Sequence, residues 1–295
     1  MINFAISFNF HSCPIINPTI SMLLLPNCKI NLGLNVVSRR EDGYHNIETV
    51  FYPIPLRDNL EFSVMADAPS EYNLTIHGMP VTGAAEDNLV VKVYLSLKKD
   101  FDLPPLDIFL YKKIPMGAGL GGGSSDAAFM MTGLNEVFDL GMGCNEMERR
   151  ISAFGADCAF FIRNHPVFAQ GIGDQMTPLP LSLKGRYIVL VKPDIFISTQ
   201  EAYAHVAPRK PHYPLKSSIL APINLWRSTI VNDFELSVFP SHPELKAIKK
   251  TLYDMGAIYA AMSGSGSTIF GLFDRPAEEA RKVFSKHFVF IQKLL

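Results

Sequence analysis

Paired cysteines, a basic surplus and a long apolar run are all missing from this chain. The four cysteines, Cys13, Cys28, Cys144 and Cys158, lie far apart. No two have the C-x-x-C spacing of a metal or redox site, and four thiols in 295 residues do not make a disulfide framework. Ordinary thiols in a reducing, cytoplasmic setting are expected. The formal net charge of −1 argues against a nucleic-acid binder, which would carry a basic face. An anionic ligand would have to be held by a few local groups, not by a global field. No stretch is long and apolar enough to read as a membrane span. Residues 1–21 hold Pro14 and Pro18 but no Lys, Arg, Asp or Glu. A secretory signal needs a basic start and an unbroken apolar run, and both are missing. The native start is read as Met22, with residues 1–21 an accidental or loosely attached extension.

A length of 295 predicts about two domains. Hydrophobic content of 48% against 19% charged describes a globular protein with ample core. Strands are expected over 23–34, 50–54, 60–65, 72–77, 108–114 and 186–192. Asp87 is a plausible N-cap for a helix carrying Leu89, Val93 and Leu97. Asn145 is another, for a helix with Met147, Ile151 and Phe154 that Gly155 ends. Residues 207–222 hold four prolines and read as loop. Leu245, Ile248, Leu252 and Met255 mark a helix stopped by Gly256. Strands over 258–262 and 268–273 flank Ser263–Ser267, and a last amphipathic helix covers 276–287. Strands and helices mix without a strict βαβ rhythm, so the fold class is α+β.

The most informative segment is Pro115-Met116-Gly117-Ala118-Gly119-Leu120-Gly121-Gly122-Gly123-Ser124-Ser125-Asp126. Five glycines fall within seven positions. A helical pattern follows at once, with Ala127, Met130, Met131, Leu134 and Phe138 at three- and four-residue steps. Glycine lets a ligand approach the backbone closely. A helix starting there leaves its first N–H groups unpaired. Free amides plus the positive end of the helix dipole make an anion site, and a nucleotide phosphate suits it. Gly117-x-Gly119-x-x-Gly122 matches the dinucleotide fingerprint as a string only. Pro115 separates it from the preceding strand, and Asp139, at about the distance of the ribose contact, sits where the helix should end and not at the end of a next strand. No Gly-Lys-Ser/Thr follows, so it is not a Walker loop either.

Two further stations accompany this loop. Pro26-Asn-Cys-Lys-Ile-Asn-Leu32 places Lys29 and Asn31 on one face of a strand. A lysine in so apolar a strand needs its charge satisfied, either at a site or by reaching water from an edge. Ser263–Ser267 is a turn rich in hydroxyls and amides. Together the three resemble the motifs of the galactokinase, homoserine kinase, mevalonate kinase and phosphomevalonate kinase (GHMP) superfamily. Arg40-Glu-Asp-Gly-Tyr-His45, Glu86-Asp-Asn-Leu89, Gly155-Ala-Asp157 and Asn232-Asp-Phe-Glu235 narrow the resemblance to its 4-diphosphocytidyl-2-C-methylerythritol kinase family. The likeness runs from about Met22 to the C-terminus. Cys28 stands where that family usually has alanine.

The resemblance implies an ATP-dependent phosphorylation of a tertiary alcohol, with Mg²⁺. It implies a ribosomal-protein-S5-like domain over about 22–165 and a ferredoxin-like domain over about 166–295. The loop from Pro115 to Ser125 would wrap the ATP phosphates, with Asn88 and Lys112 on the adenosine side. Asp157 matches the catalytic aspartate, beside Lys29. By itself, Gly155-Ala-Asp157 also reads as a helix cap. Ser124 or Ser125 would offer a hydroxyl near the metal. Asp126 has two readings, a metal ligand or a first-turn acid that favours the helix dipole. Tyr44 and His45 would read the cytosine, Tyr203 would form the second aromatic face, and Thr199 and Asn31 would make polar contacts. Without the resemblance, Tyr203 reads as a core or surface aromatic, Asn88 as a helix start and Lys112 as an exposed strand residue. The expected partner is a small molecule carrying a cytidine diphosphate, with no nucleic acid or membrane, on a monomer or homodimer. The rivals are a homoserine or mevalonate kinase, a nicotinamide-dependent oxidoreductase, and a non-catalytic nucleotide-binding regulator. Lys29 and Asp157 together argue against the last.

Overall fold

The structure, a computed structural model, describes residues 20–66 and 69–295. Cys13 and most of the expected extension lie outside the described residues. The first strands are β1 (Ser21–Leu24), β2 (Asn27–Arg39), β3 (His45–Arg57), β4 (Asn59–Val64), β5 (Tyr72–Gly78) and β6 (Leu106–Lys112). They form two sheets. One has the order β1-β4-β6-β5; the other, β2-β3-β7-β8, is completed by β7 (Val167–Gln170) and β8 (Gln175–Pro178).

The single strand region expected over 23–34 is split at Leu25-Pro26. Proline has no N–H to give to a ladder and restricts the residue before it. β1 therefore pairs with β4 in one sheet, while β2 pairs with β3 in the other. Ser21 faces Ser63, and the Val64 amide donates to the Ile20 carbonyl at 3.0 Å. The last two residues of the expected extension thus belong to the sheet, which moves the boundary set at Met22.

Four helices back the first sheet: α1 (Leu89–Lys98), α2 (Gly122–Val137), α3 (Cys144–Ile151) and α4 (Phe160–Arg163). Phe62, Ile108, Tyr94, Met130 and Leu134 share their core. α1 is capped by Asn88, whose Oδ1 accepts the Val90 amide at 3.0 Å. Asp87, the expected cap, lies in the preceding 3₁₀ turn. Gly143, not Asn145, precedes α3. β6 alternates strictly, with Leu106, Ile108, Leu110 and Lys112 inward and Asp107, Phe109 and Tyr111 outward. That period carries Lys112 into the interior, not to the surface where an exposed strand residue would sit.

The third sheet has the order β10-β11-β9-β12. Its strands are β9 (Tyr187–Lys192), β10 (Tyr259–Met262), β11 (Ile269–Phe273) and β12 (Phe288–Lys293). Between β9 and β10 come α5 (Thr199–Tyr203), α6 (Leu215–Ser218), α7 (Trp226–Thr229), α8 (Phe234–Ser241) and α9 (Pro243–Asp254). Val238, Leu245, Ile248 and Leu252, on α8 and α9, pack with one face of this sheet. Its other face shares a core with Cys28, Ile30 and Leu32 of β2. The helix expected over 276–287 shrinks to α10 (Ala280–Val283), and β12 follows it unforeseen. The division expected between 165 and 166 falls ahead of β7 and β8, which still pair in the β2–β3 sheet. Among the described residues no helix is long and apolar enough to cross a membrane.

Candidate active site

The glycine loop joins β6 to α2. Gly117, Gly119 and Gly121 have φ of 57°, 72° and 69°, the left-handed region that only glycine adopts freely. Gly121 is the N-cap of α2 and offers no side chain to the first turn. The amides of Gly122, Gly123 and Ser124 are therefore left for a ligand. At Gly119 a Cβ would stand 2.0 Å from the Ser263 carbonyl oxygen. Here the loop touches the third station directly. Ser263 Oγ donates to the Gly119 carbonyl at 2.8 Å and accepts the Asn31 amide at 3.1 Å. One serine thus links all three stations.

Beside the loop lies a cleft of ≈ 260 Å³, lined by Leu74, Ile76, Val81, Asn88, Leu89 and Met116 among others. It adjoins a second hollow of ≈ 250 Å³ over the glycines themselves. An apolar compartment beside an amide-lined one fits a base and its phosphates.

Lys29 projects from β2 with its side chain 4% exposed. Its ammonium donates to Asn31 Oδ1 at 2.6 Å and to the Gly119 carbonyl at 3.2 Å. It also lies 5.0 Å from the centre of the Phe51 ring. Asp157 Oδ2 stands 3.2 Å from the same nitrogen, with the aspartate side chain 33% exposed. The charge is thus answered inside the protein, not by water at an edge. Asp157 occupies a turn between Gly155 and α4, and α4 has no side-chain cap. The helix-cap reading of this aspartate does not hold. Next to it, burial pushes the Cys158 thiol up to about 11, so this cysteine is an inert neighbour.

Asp126 lies just past the first turn of α2 and is engaged by Lys112. Its side chain is 3% exposed, and Oδ2 lies 2.6 Å from Lys112 Nζ. Burial, foremost, lifts its pKa to about 7. The first-turn reading does not fit this position, and Oδ2 is taken up by Lys112. Lys112 lines both hollows but also contacts Asp58, so two carboxylates already answer its charge. Ser125 is buried, whereas Ser124 is partly open to the loop.

The aromatic group is arranged differently from the expected sandwich. His45 and Tyr203 stack face to face, with centroids 4.7 Å apart and planes 16° from parallel. Phe234 meets Tyr203 edge-on at 4.7 Å. Tyr44 is 65% exposed beside them. His45 covers one face of Tyr203. Thr199 opens α5, one turn before Tyr203, and is exposed.

Sequence reading passed over Thr49 and gave the Asn232–Glu235 motif no structural role. Thr49 accepts from Asn31 Nδ2 at 2.9 Å and donates to the Gly33 carbonyl at 2.6 Å. Asn232 Nδ2 donates to the Met262 and Gly264 carbonyls, both at 2.8 Å, and Glu235 accepts the Met262 amide at 2.9 Å. The Asn232–Glu235 motif therefore braces the Ser263–Ser267 turn.

The GHMP kinases N terminal domain model matches residues 88–165, and the GHMP kinases C terminal model matches 220–289. A 4-diphosphocytidyl-2-C-methyl-D-erythritol kinase of Bacteroides fragilis is 53% identical over 274 residues, covering 92% of this chain and 100% of that protein. The kinase of that name from Parabacteroides distasonis is 54% identical, over 91% of this chain and 98% of that one. A crystal structure of 4-(cytidine 5'-diphospho)-2C-methyl-D-erythritol kinase superposes with a TM-score of 0.78 at 31% identity, covering 92% of this chain and 98% of that one. Homoserine kinase from Cytophaga hutchinsonii superposes at 0.66 with 18% identity, which is a likeness of fold alone.

Proposed function

The chain belongs to the GHMP kinases and, within them, to the 4-diphosphocytidyl-2-C-methyl-D-erythritol kinase family, and on that premise we propose that it moves the γ-phosphoryl group of ATP to the 2-hydroxyl of 4-diphosphocytidyl-2-C-methyl-D-erythritol. The products are the 2-phosphate and ADP. The observation that carries the mechanism is the 3.2 Å contact of Lys29 and Asp157 beside the glycine loop.

Phosphoryl transfer is mostly positioning plus charge stabilisation. The adenine side of ATP fits the cleft lined by Leu74, Ile76 and Asn88, and the phosphates fit the amides from Gly117 to Ser124. The acceptor oxygen forms its bond to the γ-phosphorus as the bond to the β–γ bridging oxygen breaks. Asp157 takes the hydroxyl proton, or at least orients that hydroxyl. Lys29, in contact with that carboxylate, stabilises negative charge on the attacking oxygen. Asn31 and Thr49 hold the ammonium's surroundings in place.

Mg²⁺ fits as an ion brought by the nucleotide. Among the described residues no three His, Cys, Asp or Glu groups converge on a metal position, and Ser124 supplies the accessible hydroxyl. Held near the Ser124 hydroxyl, it would supply positive charge that offsets the charge built up during transfer. Tyr44, His45 and Tyr203 are assigned to the cytosine, with Thr199 at its polar edge. Cys28, Cys144 and Cys158 are free thiols, in keeping with a cytoplasmic setting.

The test is ADP release with ATP, Mg²⁺ and the diphosphocytidyl acceptor, against galactose, homoserine and mevalonate. Turnover confined to the cytidine-bearing acceptor is expected. Turnover with homoserine or mevalonate instead would move the chain elsewhere in the superfamily.

A further inference from the structure

One buried ammonium ties together the two ends of the glycine loop. Lys112 closes β6, and the loop opens at the next residue. The loop ends where α2 begins, and Asp126 lies in that helix just past its first turn. Lys112 Nζ donates to Asp126 Oδ2 at 2.6 Å and to Asp58 Oδ2. Asp58, between β3 and β4, uses its other oxygen to accept the amides of Lys113 at 2.5 Å and Ile114 at 2.8 Å. None of the three side chains is more than 3% exposed.

The cluster is not an ordinary ion pair. Two carboxylates face one ammonium, directly under a place suited to phosphates. Asp126 Oδ1 and Ser125 Oγ are buried with no hydrogen-bond partner among the described residues. Buried ions are expensive to desolvate, and apolar replacements are often as stable. Stability therefore does not account for the arrangement. Geometry does: the loop between Lys113 and Gly121 contains three left-handed glycines and cannot hold its own shape.

We propose that Asp58, Lys112 and Asp126 are positioning residues that set the distance between the strand end and the helix start, and so the spacing of the phosphate-binding amides. Lys112 then acts through the loop and not as a free cation on the nucleotide. The inference rests on reading Gly117–Ser124 as a phosphate cradle.

The test is a neutral cluster, Asp58→Asn, Lys112→Met and Asp126→Asn in one chain, beside the single Asp126→Asn variant. Four quantities are measured: melting temperature, affinity for a fluorescent non-hydrolysable ATP analogue, affinity for a cytidine diphosphate ligand, and hydrogen exchange of the amides from Gly117 to Ser124. The triple variant should melt close to wild type, exchange its loop amides faster, and lose ATP-analogue affinity on the order of ten- to a hundredfold. Cytidine ligand binding should stay within about twofold, since that site touches none of the three residues. Asp126→Asn, which keeps one carboxylate on Lys112, should show the same changes in weaker form. Wild-type ATP affinity and loop exchange in the triple variant overturn the proposal. So does an equal loss for both ligands that tracks a fall in melting temperature. If the wild-type protein itself binds no ATP analogue, the phosphate-cradle reading fails, and loop exchange still reports whether the cluster fixes the loop.

Discussion

Asp157, on a turn ahead of α4, stands 3.2 Å from the ammonium of Lys29 on β2, although 128 positions separate the two in the chain. The pair is asymmetric. The lysine side chain is 4% exposed and the aspartate 33%, so the carboxylate is the partner open to an incoming hydroxyl. Asp157→Asn should keep the fold and ATP affinity while kcat falls by about 10²–10⁴, the usual contribution of a general base. Steady-state kinetics beside a melting curve check this. A loss of only a few-fold would remove Asp157 from the chemistry.

Lys29→Met should lower kcat more than it raises KM for ATP, because the ammonium contacts Asp157, the proposed base, and does not line the apolar cleft. The lysine also donates to Asn31 and Gly119, so a melting temperature lowered by several degrees is expected alongside. A thermal effect with kcat unchanged would make Lys29 purely structural.

Gly119→Ala tests the junction of the three stations. Its Cβ would stand 2.0 Å from the Ser263 carbonyl, and its backbone has φ of 72°. The loop must part from the Ser263–Ser267 turn, so activity and stability should both drop. Gly143→Ala is the control, since a Cβ there meets nothing within 4 Å and the backbone φ is −77°. Equal behaviour of the two variants would count against the junction.

His45→Ala should weaken the acceptor and spare ATP, because the His45–Tyr203 stack stands apart from both nucleotide hollows. Isothermal titration with a cytidine ligand and with an ATP analogue separates the two. Weaker ATP binding with an unaffected cytidine ligand is the outcome that excludes base reading.

Asp126 predicts a pH effect on stability. Burial raises its pKa from 3.8 to about 7 in the folded chain. Between those values the folded state holds a proton that the unfolded state has lost, so stability declines as pH rises through this window and levels off above it. Asp126→Asn should flatten the decline, at about 2–4 °C for each kcal/mol of linkage. Parallel melting profiles for both proteins between pH 5 and 8 would show that Asp126 is not the titrating group.

Local signals reveal the glycine loop, the helix behind it and the pairing of Lys29 with Asn31 on one face, because each depends on neighbours in the chain. Strand ends were less legible. β12 and the short β7 and β8 have no period long enough to mark them, and their pairing depends on strands far away. The helix expected over 276–287 failed for a related reason: an amphipathic pattern does not decide how many turns the packing allows.

Composition and motif alone determined the α+β class, the phosphate loop and the family resemblance, since these rest on residue type and spacing. Tertiary structure decided what those residues face. It turned Lys112 inward between Asp58 and Asp126, laid His45 on Tyr203, and brought Ser263 onto Gly119. The physical reason is that charge satisfaction, stacking and close backbone approach depend on distances through space, which residues far apart in the chain acquire only when the sheets pack.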